Sequence, residues 1–202
     1  MKQIITIQHT QSIHHTNGMV GSWTDWDLTP QGIEQAQRIA IRLREQLPGE
    51  DWEIYTSDLL RARRTAGIIG QAFGVTPVHN VALRERNLGA CVGQSVEWLK
   101  QHMTAPERTI DDRLFPDGES RRDAWNRLLP FFRQLTDSDV QRVIIVSHGD
   151  LLGLFHAMWL GLPPEFFNTA DFSGMAGGVS FLQERDDGKR IIRRLCDTSF
   201  IL

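Results

Sequence analysis

Four short stretches hold side chains that could act together. Gln8-His9-Thr10 closes an isoleucine-rich run, Arg61 lies in YTSDLLRARRTA, Glu85 in LRERNLG, and Ser147-His148-Gly149 closes RVIIVS. A neutral imidazole is a good nucleophile near neutral pH, and histidine can carry a covalent intermediate. Arginine offers a planar fork of donors suited to phosphate oxygens. A second histidine, when protonated, can bind an equatorial oxygen and stabilise developing charge. A carboxylic acid held protonated in a pocket supplies the proton that a leaving alkoxide needs. Together these residue types describe phosphoryl transfer through a phosphohistidine, with no metal or cofactor required.

Such chemistry needs elements that bring the four stretches to one place. QIITI and RVIIVS are continuous β-branched runs, the pattern of strands buried on both faces. Thr29 is the expected N-cap, and Pro30 the first turn, of a helix running to Leu47 with Ile33, Ala36, Ile39, Ala40 and Leu43 at helical spacing. EIYTS reads as a second strand, followed by a helix capped from Ser57 or Asp58 and ended by Gly74. A brief strand is expected at 75–78 and an irregular stretch through Gly93. Residues 94–103 and 118–135 read as helices, and a further helix follows HGD to about Leu160. GGVSFLQE and KRIIRRLC read as a hairpin turned at Asp186-Asp187-Gly188. Alternating strands and helices predict an α/β fold with a mostly parallel sheet covered by helices. Ligands in such sheets bind beyond the carboxyl ends of the strands, where His9, Ser57, Arg61 and His148 are expected. A loop could swing Glu85 over the same edge.

These pieces resemble the histidine phosphatase superfamily, the group of phosphoglycerate mutase-like proteins and many small phosphatases. IQHTQS is similar to its strand, Arg-His-Gly and Glu/Thr segment, and DLTPQGIEQAQRIA to its Leu-Thr-x-x-Gly-x-x-Gln-Ala helix. YTSDLLRARRTA, LRERNLG and VSHGD resemble its Ser-x-x-x-Arg-Ala-x-x-Thr-Ala, Leu-x-Glu-x-x-x-Gly and second-histidine segments, all in the family's order. The resemblance implies a three-layer α/β/α domain over 1–202, His9 as phosphoryl acceptor and Glu85 as general acid. Arg61 and His148 would bind the phosphoryl group, joined by Gln8 and Thr10. Here Gln8 and Thr10 stand where the family has arginine and glycine, and glutamine cannot neutralise a phosphate. His14 or His15 is the candidate source of the missing positive charge. His15, Asn17, Trp23 and Asp25 are placed at the substrate rim, and 90–120 with Trp98, His102 and Phe115 as a cap.

Blander readings stand beside these. Glu85 lies in an Arg-Glu-Arg run that could be a surface ion pair, and flanking Arg84 and Arg86 would lower its pKa. His9, His14 and His15 could be imagined as metal ligands, but their spacing is unspecific. Arg63 and Arg64 read as a solvated helix face, and His102 and His156 as structural. For Asp25, turn and packing roles compete with substrate contact. With 202 residues and a net charge of -3, neither nucleic acid nor a membrane is an expected partner. Two distant cysteines suggest a reducing compartment, and no signal peptide is read before the first strand, so a cytoplasmic location is expected. The reading is a phosphomonoesterase acting on a small organic phosphate ester, since mutases of the family carry longer insertions. A catalytically impaired phosphate binder and a mutase-type phosphoryl transferase are the alternatives. The apolar residues near Trp159 and Phe166-Phe167 read as a homodimer interface or as core.

Overall fold

A computed structural model of the chain describes residues 1–103, 105–172 and 174–202. Among these residues six strands form one sheet: β1 (Gln3–Gln8), β2 (Glu53–Thr56), β3 (Val78–His79), β4 (Arg142–Ser147), β5 (Val179–Glu184) and β6 (Arg190–Asp197). Their order across the sheet is β3-β2-β4-β1-β5-β6. The first four are parallel; β5 runs antiparallel to β1 and makes a hairpin with β6. The α-helices of the described residues are α1 (Pro30–Gln46), α2 (Leu60–Phe73), α3 (Val96–His102), α4 (Arg121–Asp137) and α5 (Gly149–Trp159).

The apolar runs occupy the centre because side chains alternate across a strand. Ile4, Val143 and Ile145 face one core with Leu128 and Phe132 of α4 and Leu151, Phe155 and Trp159 of α5. Ile5, Ile7, Ile144 and Val146 face the other with Ile39 and Leu43 of α1 and Ala66 and Ile69 of α2. Trp159 and Phe167 are buried in the first core, and the half-buried Phe166 packs against it. No helix among the described residues is long and apolar enough to cross a membrane.

Local signals set most boundaries. Thr29 caps α1, its hydroxyl accepting from the Gly32 amide, and Gly74 ends α2 in the left-handed conformation. Three expectations shift. The brief strand expected at 75–78 is β3 at Val78–His79, the residues that pair with Tyr55 and Thr56. Helix α2 begins at Leu60 rather than at Ser57 or Asp58, because Asp58 is drawn to Arg84 and the Leu60 amide donates instead to Asp25 at 2.7 Å. Helix α4 begins at Arg121 rather than at residue 118, because Ser120 and Asp123 form a reciprocal capping box there.

Candidate active site

The parallel register carries the candidate residues to one sheet edge. Gln8 pairs with Ser147 and Thr56 with Val146, so the chain leaves β1, β4 and β2 side by side as His9, His148 and Ser57. The His9 amide donates to the Ser147 carbonyl at 2.9 Å and the Ser57 amide to that of Val146 at 3.1 Å, extending the ladder one residue past each strand. Both histidines are buried, with ring centroids 5.1 Å apart.

His9 is held in one tautomer. Its Nδ1 lies 2.8 Å from the Thr10 carbonyl, which can only accept, so the ring proton sits on Nδ1 and Nε2 keeps its lone pair. Arg61 Nε donates to that lone pair at 3.0 Å. Burial, then the Arg61 charge, hold the His9 pKa well below the usual imidazole range, so the ring is neutral and nucleophilic. Arg61 is fixed on two further sides, donating from its terminal nitrogens to the Thr24 and Ser22 carbonyls at 2.8 and 2.7 Å. Ser22 supplies its carbonyl from the left-handed conformation, φ 44°, unusual for a residue with a Cβ. Burial lowers Arg61 to about 10, so it remains a cation at neutral pH.

Glu85 is in no ion pair among the described residues, and its two arginine neighbours turn elsewhere. Arg84 forks onto Asp58, and Arg86 binds Glu107 and Asp150. The carboxyl of Glu85 instead accepts from the Arg86, Asp150 and Leu151 amides at 3.0, 3.3 and 3.2 Å. Burial, then the nearby Asp150 carboxylate, raise its pKa, opposite to the expectation from the Arg-Glu-Arg run. The indole of Trp23 donates to the Glu85 carbonyl at 2.6 Å and so positions the acid's backbone.

His148 lies 2.9 Å through Nε2 from the Ser57 hydroxyl. Burial, then Arg61 and His9, lower its pKa as well, so it is neutral in the free protein. Asp150, in the HGD segment after His148, is the contributor that sequence reasoning missed, whereas Ser57 stands at the end of its strand where the sequence placed it. His14 and His15 do approach His9, with ring centroids at 5.7 and 5.5 Å, the His15 ring nearly parallel to that of His9. Burial, then His15, drop His14 to about 3, and burial, then Arg61, lower His15. In the free protein neither supplies the positive charge that the sequence reading looked to them for.

The remaining candidates serve the frame. The Thr10 hydroxyl donates to the Gly32 carbonyl at 2.7 Å and its amide to Thr65 at 3.2 Å. Gln8 turns its amide toward Gly149 and Gly174, and its oxygen is buried without a partner among the described residues. Asp25 holds the first turn of α2, and the Asn17 side chain accepts from the Met19 amide at 3.0 Å within an exposed turn. In the 90–120 segment the Trp98 ring stacks on His102 at 4.1 Å and on Phe115 at 5.6 Å. His156 is buried beside Thr6, 2.8 Å from its hydroxyl.

The family model for the histidine phosphatase superfamily (branch 1) matches residues 4–198. The chain belongs to that superfamily. Among curated relatives, "Probable phosphoglycerate mutase GpmB" of Escherichia coli O1:K1 / APEC is 31% identical over 169 residues, covering 81% of this chain and 77% of the relative. A mycobacterial glucosyl-3-phosphoglycerate phosphatase superposes with a TM-score of 0.84 at 22% identity over 97% of this chain and 99% of its own. The alpha-ribazole phosphatase of Shigella flexneri gives 0.81 at 22% identity over 97% and 96%. These superpositions establish the shared α/β fold of the superfamily.

Proposed function

We propose that the protein is a phosphomonoesterase that hydrolyses a small organic phosphate through a phosphohistidine on His9. The observation that carries this reading is the Nε2 lone pair of His9, bared by its tautomer and faced by the buried cation of Arg61. Superfamily membership and the names of its relatives support a phosphatase or a mutase, and the chain's compactness favours the phosphatase. In the first step Nε2 bonds to phosphorus as the bond to the leaving oxygen breaks, and the Glu85 carboxyl gives its proton to that oxygen. Arg61 Nε–H, relieved of its lone-pair acceptor, turns to a phosphoryl oxygen, with His148 beside it. In the second step the Glu85 carboxylate takes a proton from water, whose oxygen bonds to phosphorus and releases phosphate, freeing His9. The 90–120 segment, tied to the 16–24 loop through the Val20–Gln94 and Val96–Gly18 backbone bonds, would form the cap.

The test is phosphate release from a panel of phosphomonoesters with a chelator present and His9→Ala as control. Release that survives the chelator and vanishes in the variant is expected. Full activity in His9→Ala rules the mechanism out, and transfer to an acceptor in preference to water identifies a mutase instead.

A further inference from the structure

His9, His14 and His15 bring ring nitrogens within 4.8 Å of one another, which invites a metal-site reading. Two observations oppose it. Arg61 donates directly into the His9 lone pair, so an ion there would displace, and then face, a guanidinium. His15 Nδ1 accepts from the Ser12 amide at 3.1 Å, so the neutral ring must carry its proton on Nε2 and has no lone pair there to offer. The same bond makes His15 an uncharged donor, stacked beside the nucleophile. His148 is a second ring at the site: its Nε2 lies 2.9 Å from the Ser57 hydroxyl, and its Nδ1 has no partner among the described residues.

A tally of charge around His9 completes the picture. From α2 comes Arg61; from the 13–15 turn, His14 and His15; from the head of α5, His148 and Asp150; and from the loop before α3, Glu85. Glu85, and after it Asp25, lie close enough to act on Arg61 without pairing with it. Every other arginine at this edge is matched: Arg84 with Asp58, Arg86 with Glu107 and Asp150, Arg121 with Asp150 and Asp171, and Arg127 with Glu119. Arg63 and Arg64 lie 3.9 and 3.4 Å from Asp25 and Asp27. With glutamine at position 8, Arg61 is the one unmatched cation of the site among the described residues.

Resting on the phosphatase reading, we propose that this site selects a phosphoryl group carrying a single negative charge, with His15 Nε2–H as a neutral donor standing in for a second cation. A singly charged group is neutralised by Arg61 alone, whereas a dianion would bring a surplus charge into a partly buried site. The substrate class is thus the monoanion of a phosphate ester, a form that gives way to the dianion as pH rises past about 6.

The experiment is calorimetric titration of the wild-type protein at pH 8 with benzylsulfonate, a fixed monoanion, and benzylphosphonate, a dianion of the same shape that cannot be hydrolysed. Benzylsulfonate is expected to bind at least as tightly, with benzylphosphonate tightening as pH is lowered through its second ionisation. Gln8→Arg should reverse the order. Loss of the donor in His15→Phe should weaken both ligands about tenfold or more, and His15→Asn should restore much of it. A tenfold preference for the phosphonate at pH 8, binding of the phosphonate there without proton uptake, or no effect of His15→Phe overturns the proposal. Binding of neither ligand overturns it too. Because the phosphatase reading is judged separately by His9-dependent phosphate release, its failure and the failure of this charge preference are distinguishable.

Discussion

At the scale of single residues, the site is organised by what each polar atom has already given away. His9 spends Nδ1 on a carbonyl, which bares Nε2, and Arg61 spends three nitrogens in three directions, on His9, Thr24 and Ser22. A lysine has the charge but not the fork. Arg61→Lys should therefore keep the fold and lower kcat/KM for phosphate esters by about 100-fold or more, the scale of losing one preorganised donor. Steady-state kinetics with circular dichroism checks this; a loss below about fivefold would mean that charge alone suffices. The identities of His9, Arg61, Glu85 and His148 were legible in the chain because each directly follows, or lies close to, a strand end. The direction of Glu85's pKa shift was not, since Arg84 and Arg86 find their carboxylates on residues 21 to 64 positions away.

At the scale of elements, the first turn of α1 supports the nucleophile from behind. Gly32 passes so close to the Gln11 carbonyl that a Cβ there would penetrate it, and the Gly32 carbonyl receives the Thr10 hydroxyl. The glycine of DLTPQG is thus required by a close approach of backbone to backbone. Gly32→Ala should push α1 away from the His9-Thr10 turn, costing about 1–3 kcal/mol in thermal unfolding and lowering activity with it. Unchanged stability and turnover would show that the turn has room to yield. Thr29 and Gly74 announced their helix ends in sequence because capping is local. Asp25 at the head of α2 did not, because its partner amide lies 35 residues further along.

At the scale of the whole molecule, the fold holds a store of uncharged imidazoles. His9 and His148 are held well below their ordinary pKa, His15 is lowered, and burial brings His156 to about 4 and, with His15, His14 to about 3. In the unfolded chain these rings take up protons from about pH 6.5 downward, while the folded protein resists. The unfolded state then binds more protons, so stability falls as pH drops from about 6.5 toward 4, the value His156 reaches. Glu85, raised in the fold, acts oppositely and loses stability as pH rises, but it is one group against five. The unfolding temperature should decline from pH 7 to pH 4, and a flat profile would contradict the neutral cluster. The sequence by itself determined the α/β layering, the central strands and the residues at their ends, since these rest on period, capping and composition within short windows. Only the tertiary structure decided which tautomers His9 and His15 hold, which arginine stays unmatched and which carboxyl has its pKa raised by burial. Those properties depend on partners brought together by the parallel register of β1, β4 and β2, and no local stretch of the chain contains them.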